Sequence, residues 1–273
     1  MEEQEEYKKV TLLDQLSIAV SSPKNYKQLT KLKTGRLVWF IVVLSFVLAF
    51  IEFGIDAIFW VNKVGGFRNL ATNEIPAFTY SDGQLSMERD IQIGIGNGTL
   101  YINTEKTEVN LDDLDTDGVY VAIGSENITI GMVSGGSGYE YMKTPLKYMM
   151  LPQGFDNSKL AACAPVFYLY IIFMFLCVMI GCAGRQLLMA LIFSIVGNVF
   201  ARNLNTGLSY GKVYIICVYA QTLAMFIMSV NTALDYMISS FMVWLVTMFI
   251  SMIFMNRAIM AHVSGDIPPG DIF

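Results

Sequence analysis

The sequence predicts a polytopic α-helical membrane protein with five transmembrane helices and a small β-rich domain inserted after the first. Apolar stretches at 37–61, 160–184, 186–201, 213–234 and 236–256 carry the helical part. About 20 apolar residues, rising about 1.5 Å each as helix, cross a hydrocarbon core of roughly 30 Å. Composition agrees, with 54% hydrophobic and only 15% charged residues. Between the first two stretches the apolar period changes from helical to alternating, which marks the insertion. The resulting organisation is an N-terminal segment 1–36, a first span 37–61, an inserted domain 62–159, a four-helix bundle 160–257 and a tail 258–273.

The N-terminal segment opens with the acidic run Met1–Glu6, followed by Thr11–Ser21, which sets Leu12, Leu13, Leu16, Ile18, Ala19 and Val20 on a broad apolar face. Thr11 offers a helix cap and Pro23 a stop. Such a helix either lies on the inner membrane surface or packs on the ends of the bundle. Lys24, Lys27, Lys31, Lys33 and Arg36 then precede the first span with no acidic residue among them. That bias places the N-terminus in the cytoplasm and 62–159 outside. The first span starts too far from the N-terminus and is too long for a secretory signal peptide, so it reads as a signal anchor.

The inserted segment carries 13 acidic and 7 basic residues, a net of −6 against −5 for the whole chain. The acidity is therefore extracytoplasmic, and no nucleic-acid partner is expected. Its alternating runs are Ile91–Ile95, Thr99–Asn103, Val119–Ile123 and Ile128–Met132. Between them stand the turn signals Ser81-Asp82-Gly83, Asn97-Gly98, Asp117-Gly118 and the loop Ser134–Gly138. Such runs between glycine turns predict strands and hairpins of a mostly antiparallel domain. Asn97-Gly98-Thr99 and Asn127-Ile128-Thr129 fit the glycosylation pattern, which matters only in a eukaryotic secretory host.

The bundle is harder to thread. Residues 186–201 make a marginal span. Alternation through five spans puts Arg185 inside as expected, but leaves Arg202, Lys212 and the tail after Arg257 outside, against the basic bias. A re-entrant 186–201 would invert the last two spans.

Candidate chemistry is sparse. His262 is the only histidine, and Cys163, Cys177, Cys182 and Cys217 all lie in or beside apolar stretches, without paired metal-ligand spacing. A zinc centre, a histidine triad and haem ligation are excluded on those grounds. Asp113-Leu114-Asp115-Thr116-Asp117-Gly118 matches the start of a calcium loop, with Asp113, Asp115 and Asp117 as weak ligand candidates. The twelfth position, which should supply a bidentate glutamate, is Gly124, so a solvated acidic turn is the favoured reading. Gly94-Ile95-Gly96-Asn97-Gly98 lacks the following helix of a nucleotide loop and reads as a turn. Glu52 and Asp56 share one face of the first span, Asp56 at the outer interface and Glu52 one turn below. Acids at such depths are costly. They read as an interfacial or inter-helix pair, with an ion or proton role and partner docking as the alternatives. No catalytic residue, bound metal or cofactor is expected.

Short motifs add a resemblance. Ser22-Pro23-Lys24-Asn25-Tyr26-Lys27-Gln28-Leu29 and Lys33-Thr34-Gly35-Arg36 lead into the first span. The inserted domain carries Ile75-Pro76-Ala77-Phe78, Asp82-Gly83-Gln84-Leu85 and Leu100-Tyr101-Ile102-Asn103-Thr104. Leu208-Ser209-Tyr210-Gly211 and Tyr219-Ala220 flank the start of the fourth span. These resemble the DUF1189 family of bacterial integral membrane proteins, itself distantly similar to the five-span Yip1 group. Asn103 stands where the family strand has aspartate. The resemblance implies a plasma-membrane protein whose partners are the lipid bilayer and a membrane or envelope protein, and it supplies no catalytic residue. A non-enzymatic adaptor or extracytoplasmic binding protein is the expected function. A transporter or channel component, carbohydrate-related if relatives' labels apply, is the alternative.

Overall fold

A computed structural model describes residues 10–95, 98–114 and 116–263. The acidic start Met1–Glu6, Gly96 and Asn97 of the glycine turn, Asp115, and the tail beyond 263 lie outside the described residues. The chain divides into a helical unit, residues 1–55 and 173–273, and a β unit, residues 56–172.

Among the described residues four helices are long and apolar enough to cross a membrane: Thr34–Lys63, Ala164–Asn203, Tyr210–Ala233 and Ser240–Val263. This corrects the count of five. The stretches 160–184 and 186–201 are not two spans, because 40 residues run as one helix through Arg185. Nothing in the sequence stops it: Pro165 sits in the first turn, where a missing N–H is tolerated, and no proline follows before Asn203. Its length of about 60 Å is twice a hydrocarbon core. The first nine residues, Ala164 to Ile172, belong to the β unit. The first long helix divides likewise: Thr34–Ile55, about 33 Å at 1.5 Å per residue, lies in the helical unit and Asp56–Lys63 in the β unit.

Within the helical unit the third long helix is the most enclosed, with 61% of its most apolar window buried against 6% for the second. One irregular turn at Gln221 divides it into Tyr210–Ala220 and Thr222–Ala233. Tyr26, Phe40, Leu48, Ile216, Tyr219 and Ile259 centre the core. The N-terminal helix Leu12–Ser21 starts with the expected cap, a reciprocal Thr11–Asp14 capping box, and Pro23 opens the turn that follows it. Of its two expected placements, packing on the bundle is the one observed. Gln15 and Ala19 are buried, Tyr219 donates its hydroxyl to Gln15 Oε1 at 3.0 Å, and Tyr26 donates to the Ala19 carbonyl at 2.6 Å.

Among the described residues the β unit holds eight strands: β1 (Phe78–Ser81), β2 (Gln84–Met87), β3 (Ile91–Ile95), β4 (Gly98–Ile102), β5 (Gly118–Ile123), β6 (Asn127–Ser134), β7 (Ser137–Pro145) and β8 (Phe155–Asp156). They form a three-stranded sheet, β2-β1-β8, and a five-stranded sheet, β3-β4-β5-β6-β7. All pairs are antiparallel except β4 with β5, which is parallel. Two hairpins use the turn chemistry that right-twisted strands require. Asp82 and Gly83 both take positive φ between β1 and β2, as do Gly135 and Gly136 between β6 and β7.

Alternation along β5 sends its side chains to opposite faces. Tyr120 and Ala122 pack with Val133 under Val109 and Leu111, whereas Val121 and Ile123 meet Tyr80, Ile128 and Leu146. The crossing segment can lie so close because Gly131 and Gly138 have no side chain; a Cβ on either would collide with Leu111.

Candidate functional site

The first long helix widens into one π turn at Phe50–Gly54, and Glu52 lies within it. Such turns recur at functional sites because they re-aim a side chain. Glu52 is 11% exposed, and its carboxylate is surrounded by donors. Arg185 Nη2 approaches Oε1 at 2.6 Å, Ser229 donates its hydroxyl to the same oxygen at 2.5 Å, and the Cys182 thiol faces Oε2 at 3.7 Å. Three helices therefore converge on one carboxylate: the first holds it, the second supplies Arg185 and Cys182, and the third supplies Ser229.

Arg185 revises the sequence reading, which placed it between two spans. It stands mid-helix, 32% exposed on its side chain, with Nε buried and unbonded. The signal was available in outline. Arg185 is the only charge between Ala164 and Ala201, and a lone base among apolar residues needs an acid from another helix. Asp56, expected as the partner of Glu52 on one face, is exposed and falls in the β unit. The two acids therefore have separate surroundings.

Beside Arg185 is a cavity of about 120 Å³, lined by Gln221, Thr247, Ser251, Met225 and Trp244 among others. Its hydroxyls already donate to their own helix, Thr247 to the Val243 carbonyl at 2.8 Å and Ser251 to that of Thr247 at 2.9 Å. Its polar lining is therefore the arginine, the amide and the remaining hydroxyl lone pairs.

The acidic loop of the β unit is tied into the fold. Asp117 accepts the Gly135 N–H at 3.0 Å, at the tip of the β6–β7 hairpin, and Asp112 accepts that of Gly138 at 2.7 Å. Asp113 pairs with Lys106 at 2.7 Å, which holds the lysine above its ordinary range through that bond and charge. Asp113 and Asp117 thus have structural partners, and Asp115 lies outside the described residues. Among the described residues no group of three histidine, cysteine or acidic side chains could hold a metal. Gly124, the would-be twelfth loop position, instead lets the Thr107–Glu108 backbone approach. Asn103, at the strand motif, accepts the Glu105 N–H at 3.0 Å and closes a turn.

Two features escaped sequence reasoning altogether. Asn157 accepts the Phe78 N–H at 2.9 Å and donates to the carbonyls of Ala71, Ile75 and Pro76 at 2.9 to 3.2 Å, clamping the start of β1. The second is a cavity of about 200 Å³ in the β unit, lined by residues of both sheets including Phe78, Leu100, Ile128 and Phe155.

Four helices of membrane-crossing length and an inserted β unit define the class of protein. Within that class, the model of the family described as protein of unknown function (DUF1189) matches residues 13–259, and the chain belongs to that family. No curated protein and no solved structure matches the chain.

Proposed function

We propose that this is a non-enzymatic, multi-pass protein of the bacterial plasma membrane, with a cytoplasmic N-terminus and an extracytoplasmic β unit that binds a ligand or an envelope protein. One observation carries the reading. The β unit holds an apolar hollow of about 200 Å³, whereas the cavity of about 120 Å³ in the helical unit lies beside a charge that is already paired. Topology supports it too. With four spans instead of five, Arg202, Lys212 and Arg257 fall on the same side as Lys24 through Arg36, so the conflict with the basic bias disappears. The acidic segment falls on the other side.

The test is site-specific photocrosslinking in native membranes from Tyr141 on β7, which is 65% exposed. Tyr141 is expected to capture a discrete partner that a crosslinker at Leu188, on the second long helix, does not. Equal capture from both positions would contradict the reading.

The cavity beside Arg185 and the π turn at Glu52 favour a second reading, a transporter or channel component. A variant with both Glu52→Gln and Arg185→Gln, expressed in a deletion strain at normal abundance, separates the two. Complementation of the deletion phenotype supports the binding reading, and its loss supports transport.

A further inference from the structure

We propose that the β-unit cavity holds a hydrocarbon chain, the acyl tail of a membrane phospholipid. The inference rests on the β unit being the binding unit and names the ligand class.

The walls decide the chemistry. Every lining side chain is apolar except Tyr80, and its hydroxyl is already spent on the Leu146 carbonyl at 3.2 Å. A buried water needs two to four polar partners, which these walls do not offer. A sugar, nucleotide or peptide would bury polar groups unpaired, which is costly. Hydrocarbon has no such cost. The volume, about 200 Å³, exceeds the roughly 150 Å³ of a dry engineered cavity that takes up benzene.

Position decides the source. Leu160 lines the cavity from the short helix Asn157–Ala162, and Ala164, four residues later, begins the second long apolar helix. Ile75, another lining residue, follows the short helical segment Phe67–Glu74 that leaves the end of the first long helix. Both chain connections to the membrane-length helices thus end at this cavity. Met149, also in its wall, is 46% exposed, and neighbouring Met150 is 93% exposed with positive φ. The wall is therefore open and apolar where a tail could enter.

The experiment uses the full chain in nanodiscs of phosphatidylglycerol and phosphatidylethanolamine doped with a phospholipid bearing a diazirine at the acyl terminus. A parallel sample carries the free diazirine fatty acid. After irradiation, adducts are mapped by mass spectrometry. Phospholipid adducts are expected on 75–160 as well as on the exposed residues Ile180 and Leu188 of the second long helix, which serve as the internal standard. Met149→Trp, which plugs the open wall at an exposed position, should lower the β-unit adducts at least fivefold relative to that standard. Leu100→Phe, which fills the interior, should do the same. Adducts confined to the long helices in the wild type overturn the proposal. Labelling of 75–160 by the free fatty acid alone overturns the phospholipid assignment. A Tyr141 crosslink to a protein partner without lipid adducts leaves the binding reading standing and sinks only the lipid.

Discussion

Polar side chains find their partners differently in the two units. In the helical unit side chains meet across helices, Arg185 and Ser229 at Glu52 and Tyr219 at Gln15, while Tyr26, Thr247 and Ser251 donate to helix carbonyls. In the β unit a few side chains answer the backbone: Asn157 serves four main-chain groups, and Asp112 and Asp117 each take a glycine N–H. The difference follows from the elements. Helices satisfy their own backbone, so their remaining polar groups are side chains that need partners on neighbouring helices. A β unit of two short sheets leaves loose main-chain groups at turns and crossings, and short polar side chains near them close the gaps. One unit centres its polarity on a charge pair, and the other keeps an apolar hollow.

The largest effect should come from breaking the charge pair. Glu52→Gln alone leaves Arg185 enclosed without its counter-charge, so stability should fall by on the order of 3 kcal/mol. Adding Arg185→Gln should recover most of the loss, since the second change removes the unpaired charge. Thermal unfolding of the purified variants in one detergent measures the cycle. Additive losses would contradict the pairing.

A smaller and more local effect is expected from Asn157→Leu, at about 2 kcal/mol, because the Phe78 N–H loses its acceptor and up to three carbonyls lose a donor. Hydrogen exchange should show residues 70–160 opening while the helical unit keeps its protection. Loss of protection in both would mean that the units unfold as one.

Asp117→Ala should loosen the β6–β7 hairpin by about 1 kcal/mol, through the freed Gly135 N–H. Low-millimolar calcium should shift the melting temperature of the wild type by no more than a few degrees, since the described aspartates already have partners. A larger shift would restore the metal-loop reading.

The smallest effect concerns Asp156, which caps the helix Asn157–Ala162. The Ser158 hydroxyl, then the Lys159 N–H, hold its carboxyl below the ordinary carboxylate range. A depressed folded pKa contributes stability above the unfolded value, about 3.9, which is lost as pH falls through the lower folded value. The β unit should therefore lose this increment only below about pH 4. Asp156→Asn should flatten that part of the melting-temperature profile, and an unchanged profile would contradict the cap.

Legibility in the sequence followed the range of the interaction. The capping box at Thr11 and the hairpin at Asp82-Gly83 were readable because each lies within four residues. Strands β3 to β6 were readable because β-branched and aromatic runs stand between glycine turns. Strand β7 was missed, since Tyr139, Glu140, Tyr141, Met142 and Lys143 are all exposed and leave no period. The parallel pairing of β4 with β5 depends on a 15-residue crossing, 103–117, which no local signal sets. Glu52 was singled out by its cost, but its partners come from positions 130 or more residues away. The helix through Arg185 was misread because one charge was given the weight of a boundary, although it is only a residue needing an acid.

Accessibility of single cysteines tests the four-span arrangement most directly. In a background with the four native cysteines replaced, Ser22→Cys, Ser125→Cys, Asn203→Cys and Ser239→Cys are treated in intact cells with an impermeant thiol reagent. Four spans with the β unit outside predict labelling at 125 and 239 and protection at 22 and 203. Labelling at 203 with protection at 239 would restore the five-span count, and labelling at 22 would overturn the orientation.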